Sequence, residues 1–445
     1  MSRWVQRRAR FVGMTRREFC AGAAGVGVAG LAGWGGVWAQ AAASIAAGTA
    51  AGTAAGDTHP DVAVIDRERI LAQAAKYVGM APVTVTSLPC ARSPGGAHDY
   101  FSEAVAEVDP DAAPVAAPAT PPFTAQRDAL FAMGLAVPGL AAAYVLTKEV
   151  RYAEAAAGHL RAWFVTPETR MTPAMDYGSV LVGVGAGAGV GGRAESGRAE
   201  SGRPEGILET LPLVEVAKAA PFVEAAGVLS DAELAGVKGW FAAYLKWLTA
   251  PQDSGPRLAA LARDRKDRNG SSWMLQVAAY TFLSVADASG PANESSAATE
   301  LRHRFRTVML RAQMKADGTF PNELRTAYPY RNSLENLDLF AGICQLLTTR
   351  FESVWEYQLE DGPGMRSAIA YHFPFIKDRH LWPFRADVSH FSELPGRRES
   401  LLLCARAYQR PEYAALWKEL KPDPADAEIL RSVPMHQPLL WVRRG

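Results

Sequence analysis

The sequence predicts an all-α protein, an incomplete α/α toroid in which helix hairpins stack around a cleft. Three observations predict it. From Gln126 onward apolar residues recur at helical spacing in one segment after another, about ten in all. The connections between these segments are short, which makes sequential helices antiparallel neighbours. No segment shows the alternation that would mark a convincing strand. The chain has 445 residues, 49% apolar and 21% charged, enough for one large helical domain with a sizeable core. A net charge of +1 leaves no global field for a polyanion, so nucleic acid is not an expected partner.

The N-terminus reads as an address. Thr15-Arg16-Arg17-Glu18-Phe19-Cys20 is a twin-arginine pattern, followed by an apolar Gly/Ala run from Ala21 to Val37 and small residues around Ala39. Residues 1–39 are therefore expected to be a cleaved signal peptide, and the mature protein to be periplasmic or secreted. The apolar run is short and Gly-rich for a membrane anchor, and no other segment looks long enough to span a bilayer. Residues 40–75 are drawn as a low-complexity linker, with a first short helix over Arg67 to Val78. The helical domain then fills 76–445. Beyond the leader, Cys90, Cys344 and Cys404 remain, the last two on apolar helix faces as buried thiols. No Cys/His spacing suits a metal and no cofactor motif appears.

Further helices are predicted over Arg127–Lys148, Arg151–Phe164 and Thr210–Ala226. Ser230-Asp-Ala-Glu233 forms a capping box ahead of Leu234, Val237, Phe241, Tyr244, Leu245 and Leu248. Others cover Ser272–Ala288, Ala297–Met314, Leu334–Arg350, Gly364–Tyr371, Arg397–Ala407 and Pro411–Leu420. Residues 183–202 interrupt the array with Gly-rich sequence and two copies of Arg-Ala-Glu-Ser-Gly. The stretch Arg265 to Gln276 carries a basic, amide-rich loop into an apolar helix, with Ser271 or Ser272 able to cap it. Backbone N–H groups and the helix dipole make such a start a natural anion site, and a solvated, capped loop is the plainer reading.

Several of these stretches together resemble the helical alginate lyase family of polysaccharide lyases. Ser93-Pro-Gly-Gly-Ala-His98-Asp99-Tyr100-Phe-Ser-Glu103 is similar to the family's Gly-Gly-x-His-Asp-Tyr-x-Ser-Glu loop. Glu168 to Tyr177 resembles the loop that brings a tyrosine to the cleft, and Gly202-Arg203-Pro-Glu-Gly206-Ile resembles the start of the next helix. Glu323-Leu-Arg325-Thr and Asn336-Leu-Asp338 match a further site loop. The resemblance implies β-elimination at a uronic acid: a base takes the C5 proton, donors neutralise the carboxylate, and the 4-O-glycosidic bond leaves.

The sequence departs from that pattern at the proton-transfer positions. Asn269 stands where the family carries histidine, and Arg268 where it carries the neutralising asparagine. Asn332 replaces the expected tyrosine, with Tyr330 two residues earlier. Tyr330 and His98 are then the candidate proton-transfer residues, with Arg325 and Asn269 completing the catalytic set. Arg268, Tyr177, Tyr100, Trp273 and Asn332 are the candidate substrate contacts. The bland alternatives are an ion pair of Arg325 with Glu323 or Glu335, core roles for the tyrosines and Trp273, and a loop-stapling role for His98. The reading is a lyase acting on an acidic, uronate-containing polysaccharide such as alginate. A non-catalytic carbohydrate-binding relative and a glycoside hydrolase on a similar helical barrel are the alternatives.

Overall fold

The computed structural model describes residues 57–105, 120–182, 201–251, 257–285 and 296–442. The leader at 1–39 and nearly all of the insertion at 183–202 lie outside the described residues.

The main helices are α1 (Arg67–Tyr77), α2 (Ala125–Thr147), α3 (Val150–Leu160), α4 (Leu213–Glu224) and α5 (Asp231–Thr249). After them come α6 (Arg257–Arg263), α7 (Arg268–Val285), α8 (Ser296–Arg304), α9 (Pro329–Leu347) and α10 (Met365–Lys377). The chain continues through α11 (Glu399–Tyr408), α12 (Pro411–Glu419), α13 (Ala427–Arg431) and α14 (Pro438–Val442). An inner wall runs α2, α4, α7, α9, α11, each helix packed on the next. An outer layer backs it, with α3 against α2, α5 against α7, α10 against α9 and α12 against α11. This is the toroid of hairpins that the helical periodicity predicts.

Burial follows the layering. Helix α9, with neighbours on several sides, is buried at every position from Pro329 to Cys344, its charged residues and amides paired with groups on neighbouring elements or facing the cavity. Helix α2 is apolar enough and long enough to span a bilayer by length and composition, contrary to the expectation that no later segment is. Two-thirds of that window (67%) is covered by the protein's own core. The Ser230/Glu233 capping box forms as predicted, with both reciprocal bonds present. Cys344 and Cys404 are buried free thiols.

Three expectations are corrected. The linker drawn over 40–75 ends early, because α1 buries Ile70 and Ala74 against α2 and belongs to the fold. Two short strands exist, β1 (Phe101–Ala104) and β2 (Tyr177–Leu181), paired in parallel. They are too short for periodicity to reveal. Helix α7 begins at Arg268, not at Ser272, because the Asp267 carboxylate accepts the Asn269 N–H at 3.0 Å and caps it. Ser271 instead donates to Gln313 at 2.7 Å.

Candidate active site

The polar loops singled out in the sequence form two couples. In the first, the Thr172 N–H donates to the His98 carbonyl and the His98 imidazole bonds the Arg170 carbonyl at 2.8 Å, joining the 93–103 and 168–177 loops. In the second, Asn322 donates to the Lys266 carbonyl at 2.7 Å, joining the loop before α7 to the 322–326 loop. The segment 202–210 lies between the couples. A Cβ on Gly206 would stand 3.0 Å from the Gly178 backbone, which is why the Gly-Arg-x-x-Gly pattern needs glycine there. On its other side Arg265 reaches Glu205 at 3.7 Å.

A cavity of about 270 Å³ opens beside the second couple. Its walls come from the starts of α2, α7 and α9, from Glu209 at the end of the 204–210 turn, and from the segment 428–436. Four guanidiniums line it, those of Arg127, Arg268, Arg331 and Arg431, with the carboxyls of Glu209, Glu335 and Glu428.

Of the residues proposed from sequence, Arg268 and Asn332 line this cavity. Arg268 opens α7, and its backbone N–H donates to Glu323 Oε1 at 2.6 Å. Its guanidinium lies 3.5 Å from Glu323 and 3.3 Å from Glu335. The anion site read at this helix start is thus filled by the chain's own carboxylate. Burial pushes Glu323 up to about 8 against the pull of Arg268, and pushes Glu335 up as well. The ion pair anticipated for Arg325 is made by Arg268; Arg325 is exposed, with no hydrogen bond or ion pair from its side chain to a described residue. Asn332, in the first turn of α9, donates to Thr326 Oγ1 at 2.9 Å.

The other candidates stand elsewhere. Tyr330 is fully buried, its hydroxyl donating to the Phe375 carbonyl at 2.8 Å between Trp382 and Phe391. Burial raises its pKa above the ordinary phenol value, and the side chain is not among those lining the cavity. The cause is the true start of α9: Pro329 at N1 and Asp387, which accepts the Tyr330 and Arg331 N–H groups, turn the ring into the core. Asn269 is buried and donates to Asp267 at 2.9 Å. Trp273 is core, with its indole N–H on the Leu248 carbonyl at 2.9 Å. Tyr177 leads β2 with its ring against Gly95. His98 borders a separate groove of about 610 Å³, alongside Arg170 and Trp240.

Tyr100 is buried too, and its contact matters. Its hydroxyl donates to Glu209 Oε2 at 2.9 Å, and Ser102 donates to the same oxygen at 2.5 Å. One Glu209 oxygen is thus anchored in the interior while the residue lines the cavity. Burial raises the Glu209 pKa; the two hydroxyls, Arg127 and Arg203 pull the other way. Sequence reasoning had the Tyr100 loop and the Glu209 turn in hand but nothing local to join residues so far apart. It missed Arg127, Glu428 and Arg431 because they sit in no motif, and Arg331 because it falls at an unspecified position between Tyr330 and Asn332.

The family model of alginate lyases matches residues 84–382. The chain belongs to the alginate lyase family. It is accordingly a polysaccharide lyase by family, and the toroid is the family's fold. The structure is similar to a crystal structure of an alginate lyase from Bacteroides ovatus, at 21% identity and a TM-score of 0.66, covering 86% of this chain and 94% of that one. It is also similar to alginate lyase A1-III from Sphingomonas species A1, at 12% identity and a TM-score of 0.46, covering 87% and 96%. Among curated proteins none matches. Within the alginate lyase match lie Arg127, Glu209, Arg268, Arg331 and Asn332; Glu428 and Arg431 lie beyond it. Among the described residues no cluster of His, Cys, Asp and Glu is arranged to hold a metal.

Proposed function

We propose that this protein cleaves a uronate-containing acidic polysaccharide, such as alginate, by β-elimination in the cavity between the starts of α2, α7 and α9. The observation that carries the reading is the convergence there of four guanidiniums and the Asn332 amide with the Glu209 carboxyl. A uronate carboxylate must be neutralised before its neighbouring C5 proton becomes removable, and fixed Arg and Asn donors in a partly desolvated site supply that stabilisation. Arg268, braced by Glu323 and Glu335, and Asn332, braced by Thr326, are the donors already held in place.

With amides at positions 269 and 332, the proton goes to Glu209. Its pKa is raised by burial, which makes it a stronger base than an ordinary carboxylate, and Tyr100 and Ser102 fix its orientation. In the step, the C5–H bond breaks and its proton passes to Glu209. The C4=C5 double bond forms as the C4–O bond breaks, and the leaving oxygen takes a proton from solvent.

The test is product chemistry on a panel of polyuronates. An unsaturated sugar end absorbing in the short-wavelength ultraviolet is the expected result. New reducing ends without that absorbance would mean hydrolysis, and binding without either would mean a non-catalytic relative. We propose also that the protein is exported by the twin-arginine route to the periplasm or beyond. The support is Arg16-Arg17 ahead of the apolar run. Replacing both with lysine should trap precursor in the cytoplasm; unchanged export would point to another route.

A further inference from the structure

We propose that Gln276, buried two turns into α7, is a positioning residue for the elimination: together with Thr210 it fixes the turn that carries Glu209 against the helix that carries Arg268. The proposal rests on the reading of the function given above. Gln276 is a polar residue within the apolar stripe of α7, and it is 0% exposed, as are Thr210, Tyr244 and Tyr280 around it. It is not among the residues that line the cavity.

The bonds it makes have one consistent direction. Its Nε2 donates to the Ile207 carbonyl at 2.9 Å and to Ser272 Oγ, one turn back on α7, at 3.0 Å. Its Oε1 accepts the Tyr280 hydroxyl at 3.1 Å and the Thr210 hydroxyl at 3.0 Å. Turning the amide over would set Oε1 against the Ile207 carbonyl, two acceptors face to face, so that carbonyl selects this orientation. The single Thr210 proton is shared between Gln276 Oε1 and the Ile207 carbonyl, each 3.0 Å away, and the Thr210 oxygen accepts from Tyr244 of α5 at 2.8 Å. Burial raises the pKa of both tyrosines, which keeps their hydroxyls protonated and donating.

Gln276 thus holds both ends of the segment from Ile207 to Thr210, and Glu209 lies between them. Tyr100 and Ser102 hold one Glu209 oxygen from the other side. The base is clamped between the 93–103 loop and α7, and Arg268 stands at the start of that same helix, about 12 Å along its axis from Gln276. Proton abstraction depends on how the base sits relative to the neutralised carboxylate, and a displacement of about 1 Å can cost about 10²-fold in rate. Another buried side chain shows what a brace alone looks like. Glu215 of α4 accepts the N–H groups of His436 and Gln437, each at 2.9 Å, and the Trp441 indole N–H at 2.8 Å, which pins the 436–441 segment. That cluster holds one wall of the cavity, whereas Gln276 spans the base and the neutralising donor.

Thr210→Val keeps the shape and removes the hydroxyl, Gln276→Met keeps the length and removes the amide, and Thr210→Ser keeps the hydroxyl. Rates of unsaturated product from an alginate-derived oligouronate are measured on the full chain, per folded molecule, alongside thermal unfolding. Thr210→Val and Gln276→Met should lower kcat by about 10- to 100-fold with KM within about 3-fold, and Thr210→Ser should recover most of the rate. Tyr280→Phe takes one donor from Gln276 Oε1 and spares the packing. It should show the same split at about 2- to 5-fold, and keeps the test open if the other variants do not fold. Added to Glu209→Gln, Thr210→Val should lower the residual rate no further, because it acts through Glu209. A lowered unfolding temperature with kcat unchanged, or a full further loss in the Glu209→Gln background, overturns the positioning role and leaves the lyase reading intact. A wild-type chain that makes no unsaturated product overturns the functional reading and the positioning role with it.

Discussion

Two helix starts border the same cleft and hold their guanidiniums in opposite ways. At the start of α7, Arg268 is 14% exposed and lies between Glu323 and Glu335, themselves 0% and 8% exposed: one cation, two buried carboxylates. At the start of α2, Arg127 and Arg431 are 30% and 32% exposed and share Asp128, which is 45% exposed: two cations, one carboxylate in water. The first arrangement fixes a charge in place, at the desolvation cost that a buried pair always carries. The second is half-open to water, and Arg127 there also acts on the Glu209 carboxyl across the cavity. A buried, braced arginine can orient a reacting group, whereas a half-exposed one contributes mainly to the screened field of the cleft.

Predictions can break or sharpen that contrast, and the largest concerns the group both starts surround. Glu209→Gln should lower turnover by about 10²–10⁴ while leaving oligouronate binding largely intact, read as unsaturated product per enzyme. Unchanged turnover would remove Glu209 from the mechanism. Next comes the brace at α7. Glu323→Ala removes the acceptor of the Arg268 N–H and one of two buried partners of its guanidinium, and should cost about 1–3 kcal/mol in denaturant unfolding, whereas Asp128→Ala at the exposed start should cost about 1 kcal/mol or less. Equal costs would erase the distinction.

The pH dependence of stability carries the same contrast. Burial raises Glu323 from 4.5 to about 8 in the folded chain, so the folded state binds more protons than the unfolded one in that window. Its contribution is full below about 4.5 and is lost as pH climbs to about 8; Glu323→Gln should flatten that part of the stability profile. For activity, Glu209 must be deprotonated to accept a proton, so kcat/KM should fall as pH drops through its raised pKa. Tyr100→Phe removes a donor that favours the carboxylate, and should move that acid limb to higher pH. The smallest effect is expected from Tyr330→Phe: about 1 kcal/mol of stability from the lost bond to Phe375, with turnover unchanged.

The sequence made local features legible and distant pairings not. The capping box at Ser230 and the succession of helices could be read because their causes lie within four residues. Arg268 and Asn332 were found through motifs on the inner helices. Tyr330 misled because its direction is set by Asp387, 57 residues on, and by a helix that starts one turn earlier than its apolar stripe. Tyr100 was assigned to the substrate when its partner, Glu209, lies 109 residues away. Arg431 and Asp128 are 303 residues apart, and no spacing rule joins them.

The anchoring of the 436–441 segment by Glu215 has a consequence for biogenesis. The inner wall from α2 to α11 can assemble as the chain emerges, yet the wall carrying Arg431 arrives only after all of it. A nascent chain halted short of residue 441 would hold most of its core and lack a finished cleft. Cleavage ahead of that segment would leave the buried Glu215 carboxyl without the N–H groups of His436, Gln437 and Trp441, so it would loosen the inner wall as well as open the cleft.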